Sequence, residues 1–301
     1  MSTLEFKEEI LLPTLNGQAY YALFLLENWL RRLCFAAYMV RYGPQWVVQI
    51  PVEIRASTLK RVEKSKSLLY LGAETDNNLI WMTTHGELNR LLFKTEVWPV
   101  VESLTGFDKS KLTVKLQELN DIRNLLAHNR SMSAATDTIL RGIVASLRLG
   151  IENFKGMILY DDDHTFILSD DDPDNLNQHF QLRMKDNDWS KFQAFLARTD
   201  YFYEFVCLPS EPWEKYVSAV RILEVYRSVL GNIVAFTVNK ALDAFSVLLP
   251  RNIDAGEART VCDVFTRERN VWTSKSFENQ DPKFICNPRI WFCENRRPRE
   301  E

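Results

Sequence analysis

The chain lacks any apolar run long enough to cross a bilayer. Its most hydrophobic stretches are broken by Glu27, Asn28, Arg31 and Arg32, or by Asn239, Lys240 and Asp243, whereas a membrane span needs about 20 predominantly apolar residues. A surplus of either charge is also missing: 37 Lys and Arg stand against 40 Asp and Glu, a formal net charge of −3. No global basic field therefore draws nucleic acid, and any such binding must come from a local cleft. Cysteines are few and odd in number, and Cys34, Cys207, Cys262, Cys286 and Cys293 contain no C-x2-C pair. That argues against a disulfide framework and against a zinc site, and favours a reducing, intracellular compartment. The opening MSTLEFKEEI has neither a basic n-region nor an apolar h-region, so no secretory signal is expected. Together these absences lead us to expect a cytoplasmic protein that uses no metal or cofactor and does not enter the membrane.

What is present is mostly helical periodicity. From Leu15 to about Tyr42 the apolar residues Tyr20, Phe24, Leu25, Trp29 and Leu33 fall near one face. Pro51 opens a second, charged helix in which Glu63 and Lys66 are spaced to pair. LGAETDNN reads as a loop. Short helical pieces follow through GELNRLLFK and WPVVESL, interrupted at Pro99. Asp108 is a plausible N-cap for a long helix carrying Leu112, Leu116, Leu119, Ile122, Leu125 and Leu126, and Ser131 or Ser133 can cap the next. These elements make the first half an all-α bundle of four main helices.

The texture changes at Gly156. GMILYDDDHTFILS reads as a β-hairpin around an Asp-rich turn, HFQLRMK and YFYEFVCL as strands, and WSKFQAFLA between them as a helix. Helical signal returns from Pro212 to Tyr226 and, after Gly231, from Val234 to Leu248; EARTVCDVFTRE is a further helix. The expected fold is therefore mainly α with a small α+β part. A helical domain over 1–153 precedes a hairpin-containing α+β and helical region over 154–301.

One stretch combines chemistry with a core-like pattern: NDIRNLLAHNR, Asn120 to Arg130. At 3.6 residues per turn Asn120, Asn124 and His128 form one stripe, with Arg123 about 140° from His128, so the two can flank a common groove. An unpaired arginine is costly to bury, and this face should meet a partner, a cleft or a ligand. Imidazole exchanges protons near neutral pH, and guanidinium matches phosphate oxygens with its planar fork. The combination suits RNA cleavage without metal, in which histidine moves protons and arginine stabilises the crowded phosphoryl group. Such cleavage needs both an acid and a base. With one Arg–His pair per chain, a two-fold dimer apposing the two helices would supply the second. The competing reading makes Arg123 and His128 core-edge residues satisfied by hydrogen bonds.

Arg123-Asn124-Leu125-Leu126-Ala127-His128 matches the arginine–polar–xxx–histidine motif of the HEPN superfamily (higher eukaryotes and prokaryotes nucleotide-binding). ELNDIRNLLAHNRSMS and the upstream RYGPQWVVQIPVEIRASTLKRVEKS resemble the branch attached to nuclear RNA-surveillance endonucleases and present in many bacterial proteins. The resemblance covers about residues 18–152. It implies a dimerising bundle of four to five helices and a metal-independent endoribonuclease of the kind common in toxin–antitoxin and anti-phage systems, with an antitoxin or other protein as a further partner. It makes Arg123 and His128 catalytic and Asn124 the polar residue that orients them or the phosphate. Asn120, Asn129 and Arg130 are candidate substrate contacts by proximity. The family also holds members that only bind RNA or dimerise, so a non-catalytic interaction module is the alternative.

The remaining features carry less. Asp161–Asp163, Asp170–Asp172 and Asp174 lack the glycine and ligand offsets of a calcium loop and read as solvated turns, or as an acidic mimic of nucleic acid that restrains a basic cleft. Cys262, Cys286 and Cys293 read as buried thiols. The tryptophans read as core or interface anchors, and His85, His164 and His179 show no partner spacing.

Overall fold

The computed structural model describes residues 14–67, 78–128, 130–158, 191–199, 201–208, 231–238, 245–267 and 290–292. These form α1 (Thr14–Tyr42), a 3-10 turn (Gly43–Gln49), α2 (Val52–Lys66), α3 (His85–Leu92), α4 (Trp98–Thr105), α5 (Lys109–Ala127) and α6 (Ala134–Ile158). Then follow β1 (Lys191–Thr199), β2 (Phe202–Leu208), β3 (Ala235–Val238), β4 (Phe245–Pro250), α7 (Ala255–Arg267) and β5 (Ile290–Phe292). The fold is mainly α with a small sheet. The chain divides into two compact units, each built from two segments: Met1–Cys34 with Thr83–Phe154, and Phe35–Met82 with Lys155–Glu301. None of the described helices is long and apolar enough to cross a membrane.

The first unit is helical. Its α1 turns Leu23, Leu26, Leu30 and Leu33 inward, spaced three and four apart along one face. Tyr20 and Phe24, expected on that inner face, are exposed, because the leucines occupy the buried stripe about a third of a turn away. Thr84 begins α3 with a complete capping box: its hydroxyl accepts from the Glu87 amide, and the Glu87 carboxylate accepts from the Thr84 amide at 2.7 Å. Pro99 lies in the first turn of α4, where its missing N–H has no intrahelical partner to lose, so it opens that helix and interrupts nothing. Gly106 closes α4 at φ 71°, the left-handed conformation glycine adopts without a Cβ clash. Asp108 caps α5 through a bond from the Lys111 amide at 2.9 Å. Of the two candidate caps for α6, Ser133 serves: its hydroxyl accepts from the Thr136 amide at 3.1 Å.

Helix α6 runs on past Gly156 to Ile158, where the first strand of a hairpin was expected. Phe154 and Ile158, four apart and fully buried, carry the helical face across the glycine. Gly150 meets the buried Phe107 ring, whose Cε1 would lie 2.1 Å from an added Cβ. Gly150→Ala is therefore expected to destabilise the protein by roughly 1–3 kcal/mol despite alanine's better helix propensity. Urea unfolding checks this, and a neutral or stabilising result would show that the ring moves aside freely.

In the second unit Phe35 and Trp46 meet edge to face at 5.5 Å, and Arg61 donates to the Met82 carbonyl at 2.6 Å. Asn252 donates to the Val40 carbonyl at 3.0 Å beside Gly43, which has φ 63°. In the first unit, burial pushes the Cys34 thiol up, above the range in which a thiolate forms at neutral pH. The sheet of the second unit has the order β1-β2-β4-β3-β5, antiparallel throughout except for the parallel β3–β5 pair. YFYEFVCL supplies β2 as expected, and the helix expected from Glu257 forms the greater part of α7.

Two helical expectations fail in this unit. Of WSKFQAFLA, the described residues Lys191 to Ala197 lie in β1, where cross-strand pairing from Lys191↔Leu208 to Thr199↔Phe202 decides a short run that local periodicity leaves ambiguous. The stretch from Val234 to Leu248 gives β3 and β4 in place of a helix. Val234, Ala235, Phe236, Val247 and Leu248 are all buried, and strands covered on both faces show no alternation to read. The expected loop over 71–77, the hairpin beyond Ile158, the strand HFQLRMK, the helix from Pro212 to Tyr226, the acidic runs, Cys286, Cys293, His164 and His179 lie outside the described residues.

Candidate functional site

Helix α5 ends at Ala127, and its buried stripe is Leu112, Leu116, Leu119, Ile122 and Leu126. Around the helix Arg123 falls between Leu116 and Leu119, a position a bundle normally fills with leucine. Its counter-charge comes from α1: the Arg123 Nε lies 2.8 Å from Glu27 Oε1 as an ion pair. Glu27 is buried, while the Arg123 side chain remains 40% exposed, so one edge of the guanidinium is anchored and the far edge faces outward.

Glu27 is the hub of a cluster. Arg31, one turn along α1, donates from Nη2 to Glu27 Oε2 at 3.1 Å and to the Thr83 carbonyl at 3.3 Å. His85, at the start of α3 and 1% exposed, points Nδ1 at Glu27 Oε1 from 3.6 Å. Its Nε2 lies 3.0 Å from the Leu116 carbonyl. Burial alone would push the Glu27 carboxyl up, but the facing His85 ring and the charges of Arg31 and Arg123 outweigh it and hold the pKa at about 2. Glu27 is thus an anion at every physiological pH, and Arg123 never lacks its anchor.

The end of the motif is held differently. His128 follows the last helical residue with φ −93° and ψ 19°, its amide donating to the Asn124 carbonyl at 3.2 Å. The expected helical stripe of Asn120, Asn124 and His128 therefore stops one residue short, and His128 is an exposed C-cap. The chain beyond it is clamped by the buried Asn16, whose side chain donates to the Arg130 carbonyl at 3.2 Å and accepts from the Met132 amide at 3.0 Å. The Tyr20 hydroxyl donates to the Leu126 carbonyl, satisfying one of the carbonyls left open at the helix end.

Of the residues singled out from sequence, Arg123 sits on Glu27. Asn120 is half-buried, Asn124, His128 and Arg130 are exposed, and Asn129 lies outside the described residues. Arg123 and His128 are not bonded to each other. The sequence reading missed Glu27, Arg31, His85 and Asn16. Glu27 and Arg31 had a signal, an i, i+4 acid–base pair inside an otherwise apolar helix; His85 and Asn16 had none. Among the described residues no three His, Cys, Asp or Glu side chains converge to hold a metal ion. Comparison with protein-family models, curated proteins and solved structures gave no match.

Proposed function

We propose that this protein is a metal-independent endoribonuclease of HEPN type, acting as a homodimer. The observation that carries the reading is Arg123, anchored through Nε on the buried Glu27 with its outer edge open, five residues before an exposed His128. A guanidinium held at one edge keeps its terminal N–H groups aligned for two phosphate oxygens without losing further side-chain freedom on binding. His128 takes the proton from a 2′-OH, the 2′ oxygen attacks the adjacent phosphorus, and His128 of the second copy protonates the departing 5′ oxygen. Arg123 stabilises the charge that builds on the non-bridging oxygens, and Asn124 orients the phosphate. Asn120, Asn129 and Arg130 contribute substrate contacts. Single-stranded or looped RNA is the preferred substrate, because a flexible strand reaches the in-line geometry. The region from residue 154 onward senses a trigger, selects the RNA or restrains the nuclease, and anti-phage defence or toxin action is the setting the family resemblance suggests.

The test is cleavage of mixed cellular RNA by the purified protein in EDTA, beside His128→Ala. Products ending in 2′,3′-cyclic phosphate from the wild type alone are the expected result. Equal cutting by both samples removes His128 from the mechanism. A second reading, a non-catalytic interaction module, is favoured by the place of Arg123 within the leucine stripe of α5, where an ion pair to Glu27 serves packing alone. It predicts no cleavage, and a change in self-association when the exposed Asn124 or His128 is replaced.

A further inference from the structure

Helix α1 leaves three aromatic side chains open within two turns: Tyr20 at 37% exposure, Tyr21 at 66% and Phe24 at 63%. A bundle has no need of them there, since its core is already filled by the leucines of the buried stripe, and adjacent exposed aromatics on a helix mark a contact surface. Their position relative to the candidate site is set by bonds already described. Tyr20 reaches the Leu126 carbonyl and Glu27 reaches Arg123, so α1 runs antiparallel along the last turns of α5. Both helices turn their leucines to one core. Their exposed stripes, Tyr21 and Phe24 on α1 and Asn124 on α5, therefore share the outer side of the pair, with the open edge of Arg123 between them.

We propose that this outer side is a nucleobase platform: Tyr21 and Phe24 stack unpaired bases of an RNA strand whose phosphates meet Arg123 and Arg130. The proposal rests on the nuclease reading and names the substrate contact it lacks. Two observations favour a nucleic-acid strand over a second copy of the chain. The three aromatics together expose about 330 Å² at roughly 200 Å² per side chain, less than half of the ~800 Å² per partner that a stable dimer buries. The 40% exposed Arg123 guanidinium beside the patch complements a polyanion, and aromatic groups next to basic ones are the usual composition of single-strand grooves. Stacking uses the face that every base has, so the platform is tolerant of sequence and selective for unpaired strands, whose bases are free to leave their neighbours.

The test uses the full chain carrying His128→Ala, so that the probe survives, and a fluorescein-labelled oligouridylate of about 12 nucleotides. Tyr21→Leu and Phe24→Leu keep apolar bulk, remove the π face and, at exposed positions, leave the thermal midpoint unchanged. Each is expected to weaken binding about tenfold or more, while an abasic strand of the same length binds weakly to all forms and ignores both substitutions. Unchanged affinity overturns the platform, as does loss of a dimer in sedimentation on Phe24→Leu, which would assign the face to a second copy. A wild type that binds through Tyr21 and Phe24 but cuts nothing leaves the platform standing and retires the nuclease. If the wild type cuts RNA and both substitutions bind normally, the nuclease stands and the platform falls.

Discussion

Glu27→Leu is expected to cost roughly 3–5 kcal/mol of stability, the penalty for removing one partner from a buried charge cluster. The substitution strands three groups at once: Arg31, whose side chain is 12% exposed, His85 at 1%, and the half-exposed Arg123. Arg123→Met should cost far less, on the order of 1 kcal/mol, because Arg123 is partly solvated and Glu27 keeps Arg31 and His85. The double variant should stay close to Glu27→Leu, since removing Arg123 leaves Arg31 and His85 still without an anion. Urea unfolding of the four proteins measures the cycle, and a Glu27→Leu loss below about 1 kcal/mol would mean that water reaches the cluster. The same carboxylate predicts a pH dependence. Its folded pKa of about 2 lies below the ordinary 4.5, so its contribution is complete above pH 4.5 and is lost as the pH falls through 4.5 toward 2. That difference amounts to about 3 kcal/mol. The wild type should shed this stability in acid, and Glu27→Gln, which has no proton to gain, should shed correspondingly less over the same window.

If the proposed nuclease reading holds, His128→Ala should reduce the rate of RNA cleavage by roughly 10²–10⁴ with no fall in thermal midpoint. The two readouts separate because of where the residue sits. As an exposed C-cap it holds the helix only through its backbone amide, which alanine retains, and exposed substitutions of this kind stay within about 0.5 kcal/mol. Arg123→Lys tests the other half of the motif. Lysine supplies the charge but lacks the planar fork, so it cannot rest one edge on Glu27 and offer the other to phosphate. A fall in kcat at nearly constant KM is expected for a group that acts on the transition state. A parallel loss of activity and fold on His128→Ala would place the imidazole in the architecture and favour the interaction module.

Much of the helical half is legible in the order of its residues. The leucine spacing of α5, the Asp108 cap, the Pro51 start of α2 and the Glu63–Lys66 pair, which closes at 2.6 Å, are local properties of contiguous residues, decided by helix period and by the backbone groups that helix ends leave open. The motif is legible for the same reason, since Arg123, Asn124 and His128 lie within two turns. The sheet is not, because β1, β3 and β4 are short runs with no period that separates strand from helix, and the two adjacent pairs β1–β2 and β3–β4 become one sheet only through the sequence-distant β2–β4 contact. Local order thus dictates a helical unit with an arginine where a leucine belongs. What that arginine meets is a matter of folding in three dimensions: a glutamate 96 residues earlier in the chain, brought to 2.8 Å and held ionised by His85, Arg31 and Arg123 itself. A buried charge must find its partner wherever folding delivers it, and that partnership leaves no periodicity in the sequence to read.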